Sequence, residues 1–121
     1  MADTNWNRDS LSGYTNITGA ATTLTDADSG TVYRVNVADA VFTLPSTEAG
    51  LIYHFVIDTV SSGTGCSLSP AAADNINGGT VNKDLINTAG TDVKGDSVTL
   101  MADGDEGWLT IGMHGIWAAE S

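Results

Sequence analysis

Short runs of strand-forming residues recur along the chain and are separated by turns of glycine, aspartate, asparagine and serine. In residues 31–37, Tyr33 and Val35 alternate with Arg34 and Asn36. An alternation with a period of two is typical of a strand with one buried face. Residues 51–57 are almost continuously apolar, which favours a strand near the centre of a sheet.

The same pattern extends over most of the chain, whereas helix signals are nearly absent. The Asp103-Gly104 pair predicts a hairpin turn, because such turns need a positive φ. Strands at such short intervals predict an all-β, single-domain β-sandwich (jelly-roll-like) or small barrel. The further predicted strands are 21–25, 41–44, 66–68, 84–87, 97–102 and 108–117.

The first 20 residues differ from the rest of the chain. They are polar and rich in small residues, and isolated large side chains such as Trp6 and Tyr14 interrupt them. This pattern predicts an extended N-terminal arm over residues 1–20, followed by an all-β domain over residues 21–121. The aromatic side chains of the arm need a surface, either on their own domain or on a neighbour.

Charge excludes several classes of partner. Four Lys and Arg residues stand against 15 Asp and Glu residues, for a net charge of −11. A nucleic-acid binder needs a basic surface, and so does a protein that docks on an anionic membrane. We therefore expect neither partner. Most acidic residues fall in the predicted turns, so an attachment face is expected on the strand surfaces and the aromatic arm.

The sequence also shows no targeting signal, membrane span or disulfide pair. The sequence begins without a basic, then apolar, leader and has no apolar run long enough for a membrane span. Its single cysteine, Cys66, has no internal partner for a disulfide. These features favour synthesis in a cytoplasm and stabilisation through oligomerisation.

No constellation of residues predicts catalysis. His54 and His114 lack metal-ligand spacing, and Asp58 lies too far along the strand from His54 to pair with it. The acidic turns at 26–28 and 103–106 are weak calcium candidates, since turn chemistry already explains aspartate there. We therefore expect a non-enzyme without a metal, cofactor or catalytic residue.

Three aromatic residues are candidate interface anchors. Trp6 and Trp117 lie near the two ends of the chain, and Tyr14 lies in the predicted arm. Buried aromatic side chains dominate the energetics of interfaces. Packing of these residues on the flank of their own domain is an equal alternative. The other strand aromatics, Tyr33, Phe42, Phe55 and Trp108, are expected in the core.

Residues 41–57, VFTLPSTEAGLIYHFVI, resemble a segment of small virion structural proteins of tailed bacteriophages. In those proteins a strand ending in Leu-Pro leads through a turn into a Gly-x-x-Tyr-x-Phe strand. Residues 73–78, 82–87, 94–99 and 107–117 are similar as well, so the resemblance covers roughly residues 30–120. It implies a capsid decoration, or cement, protein, a class that is small, β-rich and often trimeric.

The resemblance implies binding to the outer capsid surface of a virion. The implied partners are the major capsid protein and further copies of this chain, which would form a homotrimer. The expected function is capsid stabilisation. A carbohydrate-binding receptor module of a phage tail or fibre is the alternative, and it requires exposed Trp or Tyr side chains that stack on sugar rings.

Overall fold

The structure, a computed structural model, describes residues 14–17 and 19–120. These residues form β-strands joined by turns, with one 3-10 segment at Asp26–Asp28. The strands are β1 (Tyr14–Asn16), β2 (Ala21–Thr23), β3 (Val32–Val35), β4 (Val41–Thr43), β5 (Ile52–Ile57), β6 (Gly65–Ser69), β7 (Asn75–Ile76), β8 (Leu85–Thr88), β9 (Ser97–Ala102), β10 (Gly107–His114) and β11 (Ala118–Ala119).

The strands form two sheets that pack against each other. Sheet 1 has six strands in the order β1-β3-β5-β9-β10-β7, and sheet 2 has five in the order β11-β8-β6-β4-β2. The predicted all-β sandwich is confirmed, and the described residues form no closed barrel.

The first six strands alternate between the two sheets. β1, β3 and β5 are parallel neighbours in sheet 1, and β2, β4 and β6 are parallel neighbours in sheet 2. The chain therefore winds through three successive coils, each of which gives one strand to each sheet. This pairing differs from that of a jelly roll, which is antiparallel. Parallel neighbours need a crossover, and here a strand of the opposite sheet provides it.

The second half of the chain adds antiparallel strands to both sheets. β9 pairs with β5 and β10, while β8 pairs with β6 and β11. The turn between β9 and β10 is the predicted hairpin: the Asp103 amide donates to the Gly107 carbonyl at 2.9 Å, and Gly104 has a φ of +80°.

The core lies between the sheets and is built around aromatic rings. Tyr33 stacks on Phe55 with ring centroids 5.6 Å apart, and Phe42 meets Phe55 edge-on at 4.8 Å. Trp108 packs against Tyr53 at 5.7 Å. All five are buried, which confirms the four predicted core positions, Tyr33, Phe42, Phe55 and Trp108, and adds Tyr53 to them. Removing this much apolar surface from water is the main force that holds the two sheets together.

Part of the predicted arm belongs to the domain. Tyr14–Asn16 pairs with β3, Ile17 is buried, and its amide donates to the Asn36 Oδ1 at 3.0 Å. Tyr14–Asn16 therefore forms an edge strand of the sandwich, and Ile17 is held directly after it, because their backbone groups and one apolar side chain find partners there. Residues 1–13, including Trp6, lie outside the described residues.

Candidate interaction surface

The acidic residues are kept off the strands. Every Asp and Glu of the described residues lies in a turn, a loop or the 3-10 segment, and none lies in a strand. Both sheet surfaces are therefore free of carboxylates along their strands, in a chain whose net charge is −11. This distribution agrees with the sequence-based expectation that the strand surfaces are where charge is thinnest.

Many of these carboxylates hold the turns together. Asp28 accepts hydrogen bonds from the amide and the hydroxyl of Thr25 at 2.9 and 3.1 Å. Asp103 accepts three backbone N–H groups of its own turn, from residues 105, 106 and 107, and these bonds lower the pKa of its carboxyl. Within the described ranges no group of three or more His, Cys, Asp or Glu side chains is placed to hold a metal ion.

The outward surface of sheet 1 spans six strands, against five for sheet 2. Strand register places its side chains in three rows across the sheet, and we call this surface the open face. The rows are Tyr14–Val32–His54–Thr99–Gly112, Asn16–Arg34–Val56–Ser97–His114 and Ile52–Met101–Leu109.

Apolar side chains are exposed on this face. Tyr14 is 54% exposed, Leu109 39% and Val56 37%. Tyr14 and Val56 also line a shallow apolar depression together with Val32 and Arg34. An exposed apolar surface with few charges is typical of a protein-docking site. The predicted interface residue Tyr14 therefore lies on this face and is accessible.

One ion-pair cluster borders the open face. The Arg34 guanidinium lies 2.6 Å from a carboxylate oxygen of Asp58, and Lys94 lies 3.1 Å from the other oxygen. The hydrogen bond from Lys94, with help from Arg34, lowers the pKa of Asp58. Asn16 accepts a second hydrogen bond from Arg34 at 2.9 Å, which ties β1 to β3. Arg34 is thus held in position.

Both histidines lie in the open-face rows, and no carboxylate of the described residues forms an ion pair with either of them. Nδ1 of His54 lies 2.9 Å from the Thr99 hydroxyl of the neighbouring strand. His114 ends β10 and is exposed. Asp58 is engaged by Arg34 and Lys94 instead of by His54.

Cys66 is enclosed in the core, at 1% exposure. Burial raises the pKa of its thiol to about 12. Because the thiolate is the nucleophilic form, this cysteine is a packing residue in the folded state.

Trp117 is mostly buried, at 9% exposure, and its indole N–H donates to the His114 carbonyl at 3.1 Å. Its ring also lines a groove of about 500 Å³ that opens between the two sheets beside β10 and β11. Tyr14 lies on β1, at the opposite edge of sheet 1 from β10 and β7. The structure therefore does not bring these two predicted interface residues together.

Several exposed apolar residues of β10 and of the loop after it were not predicted as interface residues. They are Ile111, Met113 and Ile116, at 53%, 45% and 57% exposure, and of these Met113 lines the groove. The one signal in the sequence is the spacing of Leu109, Ile111 and Met113 in a strand without any charged residue. Side-chain exposure there depends on which strands pair with β10, and local pattern does not specify that.

Comparison with protein-family models and with curated proteins gives no match for this chain. In the part of the chain that the structure describes, no helix is long and apolar enough to cross a membrane.

Proposed function

We propose that this protein is a capsid decoration protein that docks on the outer surface of a bacteriophage head and stabilises the assembled shell. The observation that carries the docking role is the open face, which exposes Tyr14, Val56 and Leu109 and bears no carboxylate along its strands. The resemblance of residues 30–120 to small virion proteins supplies the kind of partner.

The charge distribution supports this orientation. The carboxylates lie in the turns at the ends of the strands. They can therefore stay solvated while a partner covers the open face. Burial of the exposed apolar side chains contributes roughly 25 cal/mol per Å² of apolar area removed from water. A ligand that binds only the assembled shell stabilises it by mass action, in proportion to the logarithm of its concentration over Kd.

A matched pair of variants tests the docking face. Val56→Asp places a carboxylate on the open face, and Val93→Asp makes the same change at an exposed valine in the turn before β9. We expect Val56→Asp to weaken binding to expanded phage heads about tenfold or more, since a carboxylate must lose its water on docking. Val93→Asp should bind like the wild type. Co-sedimentation with expanded phage heads measures both.

Thermal unfolding of both variants controls for folding, because aspartate lowers strand propensity by up to about 1 kcal/mol. Equal binding of the two variants would reject the open face as the docking surface. Failure of the wild type to sediment with heads would reject the decoration role. Gel densitometry of intact particles is a second check, since a decoration protein is present in hundreds of copies and a receptor module in a handful.

The carbohydrate-binding alternative has less support from the described residues. Of the aromatic side chains in those ranges, Tyr14 alone is exposed, whereas the rest are buried in the sandwich. One accessible ring is a small platform for sugar stacking. Binding to a glycan panel, lost in Tyr14→Ala, would favour this alternative over decoration.

A further inference from the structure

The turn that follows β7 contains the only Asn-Gly pair of the sequence, Asn77-Gly78. The Gly79 amide donates to the Ile76 carbonyl at 3.1 Å and closes the turn. The two central residues have φ values of +54° and +73°. A turn with positive φ at both central residues favours Asn-Gly over other pairs. The shape of the turn therefore explains why this pair is present.

An Asn-Gly pair also carries a reaction of its own. The Gly78 nitrogen attacks Cγ of Asn77, and the new C–N bond closes a cyclic imide. The Cγ–Nδ2 bond breaks, and Nδ2 leaves as ammonia with the proton of the Gly78 amide. Solvent water then opens the imide, either at Cγ to give aspartate or at the main-chain carbonyl carbon to give isoaspartate. Glycine hinders the attack least, because it has no Cβ, and both residues are exposed to water.

The folded structure holds the two reacting groups in hydrogen bonds. Oδ1 of Asn77 accepts from the Thr110 amide at 3.0 Å, and Nδ2 donates to the Thr110 hydroxyl at 3.0 Å. We call this pair of contacts the Thr110 clamp. The Gly78 amide donates to Oδ1 of Asn75 at 3.2 Å. The clamp and the Gly78 bond must therefore open before the nitrogen can reach Cγ.

We infer that Asn77 is the site of spontaneous deamidation in this chain and that the Thr110 clamp sets its rate in the folded protein. Asn77 reacts only in molecules whose turn has come away from β10. Thr110 acts as a positioning residue in this scheme, because it holds the side-chain amide and takes no part in the bond changes. The inference does not depend on binding to heads.

The reaction changes the edge of sheet 1. Either product replaces the Nδ2 donor with an acceptor and adds a carboxylate to the groove, which Asp84 and Glu120 also line. Isoaspartate also routes the main chain through Cγ, which lengthens the turn. The Asn77 amide, which donates to the Trp108 carbonyl at 2.7 Å, then loses its register with β10. Deamidation therefore weakens the attachment of the β7 segment to β10.

Peptide mass spectrometry of the full-length protein, incubated at mildly alkaline pH, tests the inference. We expect the urea-unfolded chain to deamidate chiefly at Asn77, at least about tenfold faster than the folded protein, since several hydrogen bonds must open in the fold. Thr110→Val removes the hydroxyl and should raise the rate in the folded protein about fivefold, the factor that one hydrogen bond supports. Thr110→Ser keeps the hydroxyl and should react like the wild type.

Thr25→Val is the matched control, because it removes a hydroxyl hydrogen bond in another turn, the one to Asp28 at 3.1 Å. It should deamidate like the wild type in the folded protein. In urea all four proteins should react at one rate, since their sequence around Asn77 is the same. Chief reaction at another asparagine, equal rates for the folded and unfolded wild type, or a folded Thr110→Val rate no higher than that of Thr25→Val would each overturn the inference.

Discussion

Gly107 lies where β10 passes close to the backbone of β7. A Cβ atom built at this position would overlap the backbone carbonyl oxygen of Asn75 and lie 2.8 Å from its nitrogen and carbonyl carbon. Backbone atoms cannot move away as a flexible side chain can. We expect Gly107→Ala to lower the free energy of unfolding by about 2–4 kcal/mol, as overpacking in a rigid site does.

Gly112 provides the control in the same strand. A Cβ there meets no atom within 4 Å, and the glycine follows the register shift between β9 and β10. Gly112→Ala should change the free energy of unfolding by less than about 1 kcal/mol. Urea unfolding of both variants measures the difference. Equal stabilities would show that the backbone of β7 can move away from the added methyl group without loss of stability.

Side-chain roles in turns were readable from the sequence, but partners in the core were not. Asp-Gly at 103–104 predicted its turn because a positive φ is a local requirement. Asn87, in contrast, is fully buried, and its amide donates to the Asp96 carboxylate and to the Ile116 carbonyl, both at 3.0 Å. These hydrogen bonds join three segments that are distant in the sequence, so no local pattern predicts them.

Two N-terminal deletions, one that keeps β1 and one that removes it, show which residues contribute to the stability of the domain. Deletion of residues 1–13 should leave the monomer as stable as the full chain, because it removes none of the β1–β3 pairing. Deletion of residues 1–17 should cost about 2 kcal/mol or more, since it also removes the buried Ile17 side chain and its hydrogen bond to Asn36.

Both deletions should be compared by urea unfolding at concentrations where the full chain is monomeric, so that association does not contribute. A large loss on deleting residues 1–13 alone would show that this segment packs on its own domain. Equal stability of the two truncated proteins would show that β1 adds nothing to the sandwich.

The positions of strands were predictable from the sequence where the apolar pattern is strong. The pairing between strands was not predictable. The runs that became β3, β5 and β9 were placed within one or two residues by their alternating or continuous apolar character. The same alternation serves parallel and antiparallel neighbours, so it did not reveal the three parallel coils. β7 and β11, with two residues each, are too short to show any period, and both form edges of the groove region.

The reactivity of Cys66 reports on the whole molecule. The thiol is 1% exposed, and burial raises its pKa to about 12, so the thiolate is scarce in the native state at pH 8. We expect iodoacetamide to modify the native protein only through global opening, at a rate far below that of the urea-unfolded chain. Mass spectrometry measures the reaction directly, because the chain has a single cysteine. Rapid native-state alkylation would mean that the sheets separate locally around β6.

The three parallel coils have a mechanical consequence. β1, β3 and β5 run in the same direction, and the N-terminal arm leaves from the start of β1. A pull on the arm along the strand loads the β1–β3 hydrogen bonds together, in shear, so no single bond carries the whole force. Resistance to such a pull depends on the rate of unfolding and not on equilibrium stability. The β1–β3 pairing is thus oriented to resist a pull on the residues that precede β1.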